Sequence, residues 1–174
     1  EILLVGIGEA IKTELSAFRG LDSLVTVVEA PQVVDFHEPP AKAVREKPHS
    51  SIVVGLKLLR SQQAAAFVSA GHTGAIVCAA LWQLGKLPGV LRPALGAIIH
   101  TPSGPVLLLD IGANADCRPI HLLQFAQMGQ TYMKDVWGIP QPRIGLLSNG
   151  EEETKGNTMV RQAHPLLKES HLNF

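Results

Sequence analysis

Residues 106–119 read VLLLDIGANADCRP. The apolar run that opens this stretch predicts a strand covered on both faces, as in a parallel sheet. The polar segment after it ends at Pro119, and proline suits the first turn of a helix, here predicted over about residues 119–136. A buried strand, a polar loop and a helix in succession are typical of an α/β fold.

The same alternation runs along the rest of the chain. Apolar runs predict strands at Ile2 to Val5, Val25 to Glu29, Ala65 to Ser69, Ala94 to His100, Val106 to Asp110 and Ile144 to Leu147. Helical spacing predicts helices at Glu9 to Phe18, Ser51 to Arg60, Gly74 to Leu84, Pro119 to Val136 and from near Asn157, the last bent or ended by Pro165. We therefore expect one α/β lobe over residues 1–174, with a doubly wound, mostly parallel sheet and helices on both faces.

Composition narrows the classes of function. Fifteen basic residues balance fifteen acidic ones, which argues against a nucleic-acid-binding protein with a strongly basic face. The two cysteines are far apart in sequence, as in a reduced cytosolic protein, and the scattered histidines form no metal-ligand spacing. No apolar run approaches the roughly 18 to 20 residues that span a bilayer. We expect a cytoplasmic protein without a bound metal.

Three polar loops follow predicted strands, and ligands of open parallel sheets bind at such strand ends. The first loop, residues 69–74, reads SAGHTG. Its small residues would let the backbone approach a phosphate, and the following helix would direct free N–H groups at it. A tight turn that needs glycine for geometry alone explains the pattern equally well.

The second loop, residues 110–119, carries two carboxylates, an amide and a thiol. Asp110 ends an apolar strand, where a solvated surface charge is unexpected. Asp116 is a candidate cap for the next helix, which is the commoner use of such a residue. Cys117 is a possible nucleophile, but a half-buried thiol without a chemical role is the favoured interpretation.

The third loop, residues 148–157, reads SNGEEETKGN. Its three consecutive acids are typical of a solvated face. Lys155 precedes Gly156 and Asn157 at a helix start, where Asn157 is the predicted N-cap. An ammonium group and helix N–H groups can meet an anion there. We expect all three loops to converge on one pocket for an anion.

Together these segments resemble the bacterial phosphate acyltransferases of the PlsX type. The family patterns are Ser-Ala-Gly-Asn-Thr-Gly-Ala, Leu-Asp-x-Gly-Ala-Asn-x-Asp-Cys, Gln-Phe-Ala-x-Met-Gly, Pro-Arg-x-Gly-Leu-Leu, Gly-Glu-Glu and Lys-Gly-Asn. In the same order they match residues 69–75, 109–117, 124–129, 142–147, 150–152 and 155–157, with His72 in an asparagine position. Ser148 also stands where many relatives have asparagine. The family's first strand with its Asp-x-Met-Gly-Gly-Asp turn and the second half of the family sequence are not in this chain, so the resemblance implies a fragment.

The resemblance implies transfer of a fatty acyl group from acyl carrier protein to inorganic phosphate, giving acyl phosphate for glycerol 3-phosphate acylation by a membrane enzyme. It implies a fold like that of isocitrate and isopropylmalate dehydrogenases and of phosphotransacetylases, a homodimer, no cofactor, and possible peripheral contact with the membrane. The implied catalytic residues are Lys155, Asn157, Asp110 and Asn114. The implied substrate-binding and phosphate-binding residues are Ser69, Gly71, His72, Thr73, Gly74, Asp116 and Glu152.

The acyl carrier protein is acidic, so a basic patch is expected to dock it, with Lys42, Arg45, Lys47, Lys57 and Arg60 as candidates. Three other functions stay open. A phosphotransacetylase-like enzyme would use acyl-coenzyme A as donor. A decarboxylating dehydrogenase would need a metal-binding aspartate cluster, which is not evident. A non-catalytic homologue would bind acyl carrier protein without turnover.

Overall fold

A computed structural model describes residues 1–18, 20, 21, 23–150, 152 and 155–174, and the chain divides into two compact units, Glu1–Gly85 and Lys86–Phe174. Each unit combines helices with a two-stranded sheet, so the chain is a mixed α/β protein. The single lobe expected over residues 1–174 stays a prediction. Among the described residues, no helix has both the length and the apolar character needed to cross a bilayer.

The first unit contains a parallel pair of strands and four helices. Its elements are β1 (Ile2–Gly6), α1 (Gly8–Leu15), β2 (Val25–Glu29), α2 (Pro40–Glu46), α3 (Ser51–Arg60) and α4 (Thr73–Gln83). β1 and β2 pair from Ile2 opposite Val25 to Gly6 opposite Glu29, with α1 between them in sequence. Glu29 Oε2 accepts a hydrogen bond from Gly8 N at 3.0 Å, which fixes the start of α1 against the end of β2. The predicted parallel pairing is confirmed here.

The core of the first unit lies among α2, α3 and α4. The buried side chains are Val44, Ile52, Val53, Leu56, Ala75 and Ala79. The 51–60 helix was predicted to place Ile52, Leu56 and Leu59 on one apolar face; Ile52 and Leu56 are buried in this core, and Leu59 is partly buried against it. This core holds the start of α4, which directly follows the first loop.

The second unit contains a hairpin and two helices: β3 (Gly96–Thr101), β4 (Gly104–Leu109), α5 (Pro119–Asp135) and α6 (Thr158–Lys168). α5 packs against both β4 and α6, and the buried side chains of the two helices are His121, Phe125, Met133, Ala163 and Leu167. Pro165 was expected to bend or end this helix; α6 continues past it to Lys168, so Pro165 does not end the helix. The Pro165 carbonyl still accepts a hydrogen bond from Glu169 N at 2.9 Å, which extends the helical pattern beyond the proline.

The structure corrects the strand predictions in two ways. β3 and β4 are antiparallel, because only residues 102 and 103 separate them and a parallel crossover needs a dozen or more residues. Residues 65–69 and 144–147 form no strand. Both are apolar, but neither pairs with a described strand, and Val68 and Leu147 are 93% and 74% exposed. Apolar composition predicted burial there, whereas a strand also requires a neighbour for its hydrogen bonds.

Candidate functional site

The first loop lies in the first unit and leads into α4. Ser69 Oγ accepts a hydrogen bond from Gly71 N at 3.1 Å, which closes a small turn. A Cβ atom added at Gly74 would lie 2.7 Å from Pro40 Cγ, so glycine lets α4 start close to α2. Close packing of α4 against α2 therefore accounts for Gly74 without any ligand.

His72, which stands in the loop's asparagine position, has a defined place. Its Nε2 donates to the Glu38 carbonyl oxygen at 3.1 Å, and its ring stacks on Phe36 with 6.2 Å between ring centroids. A carbonyl oxygen can only accept, so this bond requires the proton on Nε2. The His72 side chain thus ties the first loop to residues 36–38, and it does not cap α4. Thr73 opens the helix, where its backbone N–H lies in the first turn.

Asp110 organises the second loop in the second unit. Its Oδ1 accepts from Leu95 N and Ala113 N, each at 3.0 Å. Its Oδ2 accepts from Asn114 N at 3.0 Å and from Asn114 Nδ2 at 2.7 Å. Asn114 Nδ2 also donates to the Pro93 carbonyl at 2.8 Å. The Asp110 carboxylate therefore connects residues 113 and 114 of the loop with Leu95, and Asn114 adds a bond to Pro93.

The end of the second loop differs from the capping prediction. α5 starts at Pro119, its cap position is Arg118, and the imidazole Nδ1 of His121 accepts from Arg118 N at 3.1 Å. The Asp116 carboxylate is exposed and accepts no hydrogen bond from a described residue, whereas its carbonyl accepts from Arg92 Nη1 at 3.1 Å. Asp116 is therefore not the cap of α5, because the chain needs two more residues before the helix can begin.

The acid–base properties of the second loop follow from these contacts. Burial alone would raise the pKa of Asp110, but the Asn114 side chain and three backbone N–H groups outweigh it, so this pKa lies below its ordinary value. Burial, followed by the negative charge of Asp110, raises the pKa of Cys117. At neutral pH the carboxylate is thus a weak base and the thiol is mostly protonated. Both effects disfavour Cys117 as a nucleophile.

The third loop is held by its amide side chains. Asn149 Oδ1 accepts from Gly156 N at 2.9 Å, and Asn157 Oδ1 accepts from Val160 N at 2.9 Å, which makes Asn157 the N-cap of α6 as predicted. Gly156 has a φ of 93°, a conformation that favours glycine. Lys155 N also donates to the Glu152 carbonyl at 2.9 Å. Glu151, Glu153 and Thr154 of this loop lie outside the described residues.

A cavity of about 500 Å³ lies between the third loop and α6, and we call it the α6 cavity. Its lining includes Glu152 and Lys155 of the predicted site, but neither Asn157 nor any residue of the second loop. The remaining lining residues are Leu146, Leu147, Ser148, Asn149, Gly150, Val160, Arg161, His164 and Phe174. The structure therefore places Lys155 beside a space that could hold a ligand. Convergence of the three loops on one pocket stays a prediction.

Comparison with known proteins identifies the relatives of this chain. A family model described as "Fatty acid synthesis protein" matches residues 1–174. The chain belongs to this family. It is 49% identical to a phosphate acyltransferase of Pelotomaculum thermopropionicum, over 99% of its own length and 50% of the relative's. It is 48% identical to a phosphate acyltransferase of Elusimicrobium minutum, over 100% of its own length and 51% of the relative's.

The phosphate acyltransferase of Dehalococcoides mccartyi is 54% identical over 86% of this chain and 44% of its own length. The chain thus spans about half the length of the curated relatives that it matches. The resemblance to the phosphate acyltransferases of the PlsX type is confirmed by these matches.

This member of the family has cavity residues that sequence reasoning missed. Val160, Arg161 and His164 lie in the first two turns of α6, and Phe174 follows that helix. Their spacing was the available signal: Val160 and His164 are four residues apart and Arg161 and His164 three, so all lie on one face. Among the residues that the structure describes, no group of three or more His, Cys, Asp or Glu side chains could hold a metal ion.

Proposed function

We propose that the protein transfers a fatty acyl group from an acyl carrier protein thioester to inorganic phosphate, producing acyl phosphate. The main support is the family match over residues 1–174, together with relatives named phosphate acyltransferase. In the proposed pathway a membrane enzyme then uses acyl phosphate to acylate glycerol 3-phosphate in phospholipid synthesis. The α6 cavity, with Lys155 on its lining, is the part of the described structure that best suits an anionic substrate.

The chemistry needs little beyond positioning and charge neutralisation. A phosphate oxygen attacks the thioester carbonyl carbon, a C–O bond forms, and the C–S bond breaks. The departing thiolate takes up a proton, and because a thiol has a pKa of about 8.5 it leaves without a strong general acid. No covalent acyl-enzyme is required, which agrees with the raised pKa of Cys117. Holding phosphate in line with the carbonyl can lower the barrier by several kcal/mol, roughly 7–11 in well-oriented reactions.

Within this proposal Lys155 neutralises the phosphate. Its side chain forms no hydrogen bond or ion pair with another described residue, so its charge is available to a ligand. Asp110 and Asn114 act by holding the second loop in shape, since their polar atoms already bond each other and the backbone. Asn157 shapes the third loop as the cap of α6.

The proposed protein partner is acyl carrier protein, which is acidic and would be attracted to basic side chains of the first unit. Lys47 is a poor candidate for this contact, because its Nζ lies 2.6 Å from Glu38 Oε2 and 2.7 Å from the Val33 carbonyl. Lys57 Nζ donates to the Pro48 carbonyl at 3.1 Å. Lys42, Arg45 and Arg60 are exposed and are the better candidates.

The architecture and location proposed for the complete protein follow the family resemblance. They comprise a doubly wound sheet like that of isocitrate and isopropylmalate dehydrogenases and of phosphotransacetylases, a homodimer, and a cytoplasmic protein with peripheral contact at the inner membrane. The parallel β1–β2 pair with α1 between its strands supports the architectural proposal.

The test is a phosphate-dependent assay on the complete protein. Acyl carrier protein thioester should be consumed only when phosphate is present, with acyl phosphate as product. Lys155→Ala should lower turnover or raise the phosphate KM by about tenfold or more, as expected for loss of a charged contact. Lys134→Ala, an exposed lysine of α5 outside the α6 cavity, is the matched control and should leave both unchanged.

Two outcomes would count against the proposal. Equal phosphate kinetics for Lys155→Ala and the wild type would remove Lys155 from the site. Faster turnover with acyl-coenzyme A than with the carrier protein thioester would favour the phosphotransacetylase-like alternative.

A further inference from the structure

The α6 cavity holds a second cation that the family motifs do not include. Arg161 lines the cavity together with Lys155, and neither side chain forms a hydrogen bond or ion pair with another described residue. Among the described residues, Glu152 is the acid of the lining, and it too forms no described ion pair. Among the described lining residues, two cations therefore face one acid. Cations without a described partner attract an anionic ligand.

The lining of the same cavity is polar and apolar in about equal parts. Leu146, Val160 and Phe174 are part of the lining, and the ring of His164 contacts Phe174 edge to face with 5.3 Å between centroids. Three of these side chains are half-buried and so are held by their neighbours: Leu146, Val160 and His164. Inorganic phosphate alone would leave this surface in contact with water. A ligand with an apolar chain would cover it and gain the corresponding hydrophobic free energy.

The position of Arg161 on α6 fits a binding role. It lies in the first turns of an 11-residue helix, three residues before His164, so both side chains share the face that borders the cavity. Arginine presents several N–H groups in a planar fork that matches phosphate oxygens, whereas lysine offers a single charged centre. The volume of about 500 Å³ is in the usual range of small-molecule sites.

We propose that Arg161, together with Lys155, binds the phosphate group of a ligand that carries an apolar chain, and that Leu146, Val160 and Phe174 contact the start of that chain. The proposal rests on the proposed function, because acyl phosphate has this chemistry. In the prosthetic arm of an acyl carrier protein a phosphate is joined to the acyl chain through pantetheine. The dimethyl carbon next to that phosphate would then meet the apolar residues, so this arm is the second source.

The test measures binding to the complete protein by calorimetry. Dodecylphosphonate serves as a stable mimic of acyl phosphate, and S-dodecyl phosphopantetheine represents the prosthetic arm. Inorganic phosphate has the phosphate group without a chain, and dodecanoate has the chain without a phosphate group. Dodecylphosphonate or the phosphopantetheine derivative should bind more tightly than either half. Whichever of the two binds more tightly identifies the source of the phosphate group.

The deciding variant is Arg161→Gln. It should weaken binding of the tighter chain-bearing ligand by roughly tenfold or more, the usual range for a charge-assisted contact, and Arg161→Lys should restore part of it. Lys134→Gln, which removes a cation outside the cavity, should change nothing. Equal affinity of Arg161→Gln and the wild type would overturn the proposal, as would binding of inorganic phosphate as tight as that of both chain-bearing ligands.

The two proposals can fail separately. A wild-type protein without phosphate-dependent acyl transfer, but with binding of dodecylphosphonate that depends on Arg161, would refute the proposed function and leave the cavity assignment standing. Acyl transfer with normal kinetics in Arg161→Gln, together with unchanged ligand binding, would refute the cavity assignment alone. Because Arg161 is exposed, its replacement should not unfold α6, and an unchanged circular dichroism melting curve checks this.

Discussion

The second and third loops lie in the same unit, and each is a polar segment that precedes a helix. Their charged side chains nevertheless differ in whether they bond to the protein. In the second loop the Asp110 carboxylate accepts four hydrogen bonds from the loop itself and from Leu95. In the third loop Asn149 and Asn157 hold the backbone, while Lys155 borders a cavity with its charge unpaired by any described residue. The charged group of a polar loop can thus stabilise the loop through internal hydrogen bonds, or it can be left without a protein partner and so be available to a ligand.

The difference has a simple physical origin. A half-buried carboxylate is costly unless donors surround it. The second loop supplies three of these donors, and Leu95 N supplies the fourth. The exposed cation of Lys155 is solvated by water and needs no partner in the protein. The comparison therefore predicts that substitutions in the second loop change stability first, and that substitutions of third-loop cations change ligand binding first.

The largest expected effect is that of Asp110→Ala. Four donors would lose their acceptor, so the free energy of unfolding should fall by about 2–4 kcal/mol. Asp116→Ala is the matched control, because this exposed carboxylate accepts no hydrogen bond from a described residue, and its loss should cost less than about 0.5 kcal/mol. Urea denaturation of the complete protein and amide hydrogen exchange at Ala113 and Asn114 measure the two effects.

A result in which Asp110→Ala keeps wild-type stability but loses activity would break the comparison. It would mean that the carboxylate acts on substrate, as the family resemblance first implied, and that its hydrogen bonds contribute little to the loop.

A smaller effect is expected for Asn157→Ala in the third loop. Loss of the N-cap bond to Val160 should lower the free energy of unfolding by about 1 kcal/mol. Asn157→Ser keeps a capping oxygen and should restore most of that stability. Chemical denaturation of both variants, with phosphate kinetics measured in parallel, separates a cap from a ligand contact. Wild-type stability with impaired phosphate kinetics in Asn157→Ser would show that the amide itself touches substrate.

The sequence predicted the local features of this unit well. Helix α5 was expected at residues 119–136 and lies at Pro119–Asp135, because its proline start and apolar stripe are local signals. The cap at Asn157 was predicted for the same reason. The unusual position of Asp110 at a strand end was also visible in the sequence, and the structure explains it by the donors of the following loop.

Features that depend on distant partners could not be read from the sequence. The donor Leu95 N lies fifteen residues before Asp110, and nothing in the 110–119 segment specifies it. Residues 144–147 have strand composition but no strand partner, so pairing could not be inferred from them. Arg161 was missed because it lies outside every family motif. Its approach to the same cavity as Lys155 is a property of the folded α6, although the spacing to His164 was a hint.

The smallest effect concerns the reactivity of Cys117 at the end of the second loop. Burial and the nearby Asp110 charge raise its pKa, so at a given pH less of it is thiolate, and the thiolate is the species that reacts. Iodoacetamide should therefore modify Cys117 more slowly at pH 7–8 than it modifies a cysteine in an unstructured peptide, and the rate should keep rising at pH values where the peptide has reached its plateau.

Mass spectrometry of the modified peptide, with Cys78→Ser as background, measures this rate. If Cys117 were alkylated faster at pH 7 than the cysteine of the unstructured peptide, the second loop would be lowering the pKa of the thiol. The second loop would then, like the third, carry a group that is available to a substrate, and a covalent acyl-enzyme on Cys117 would have to be reconsidered.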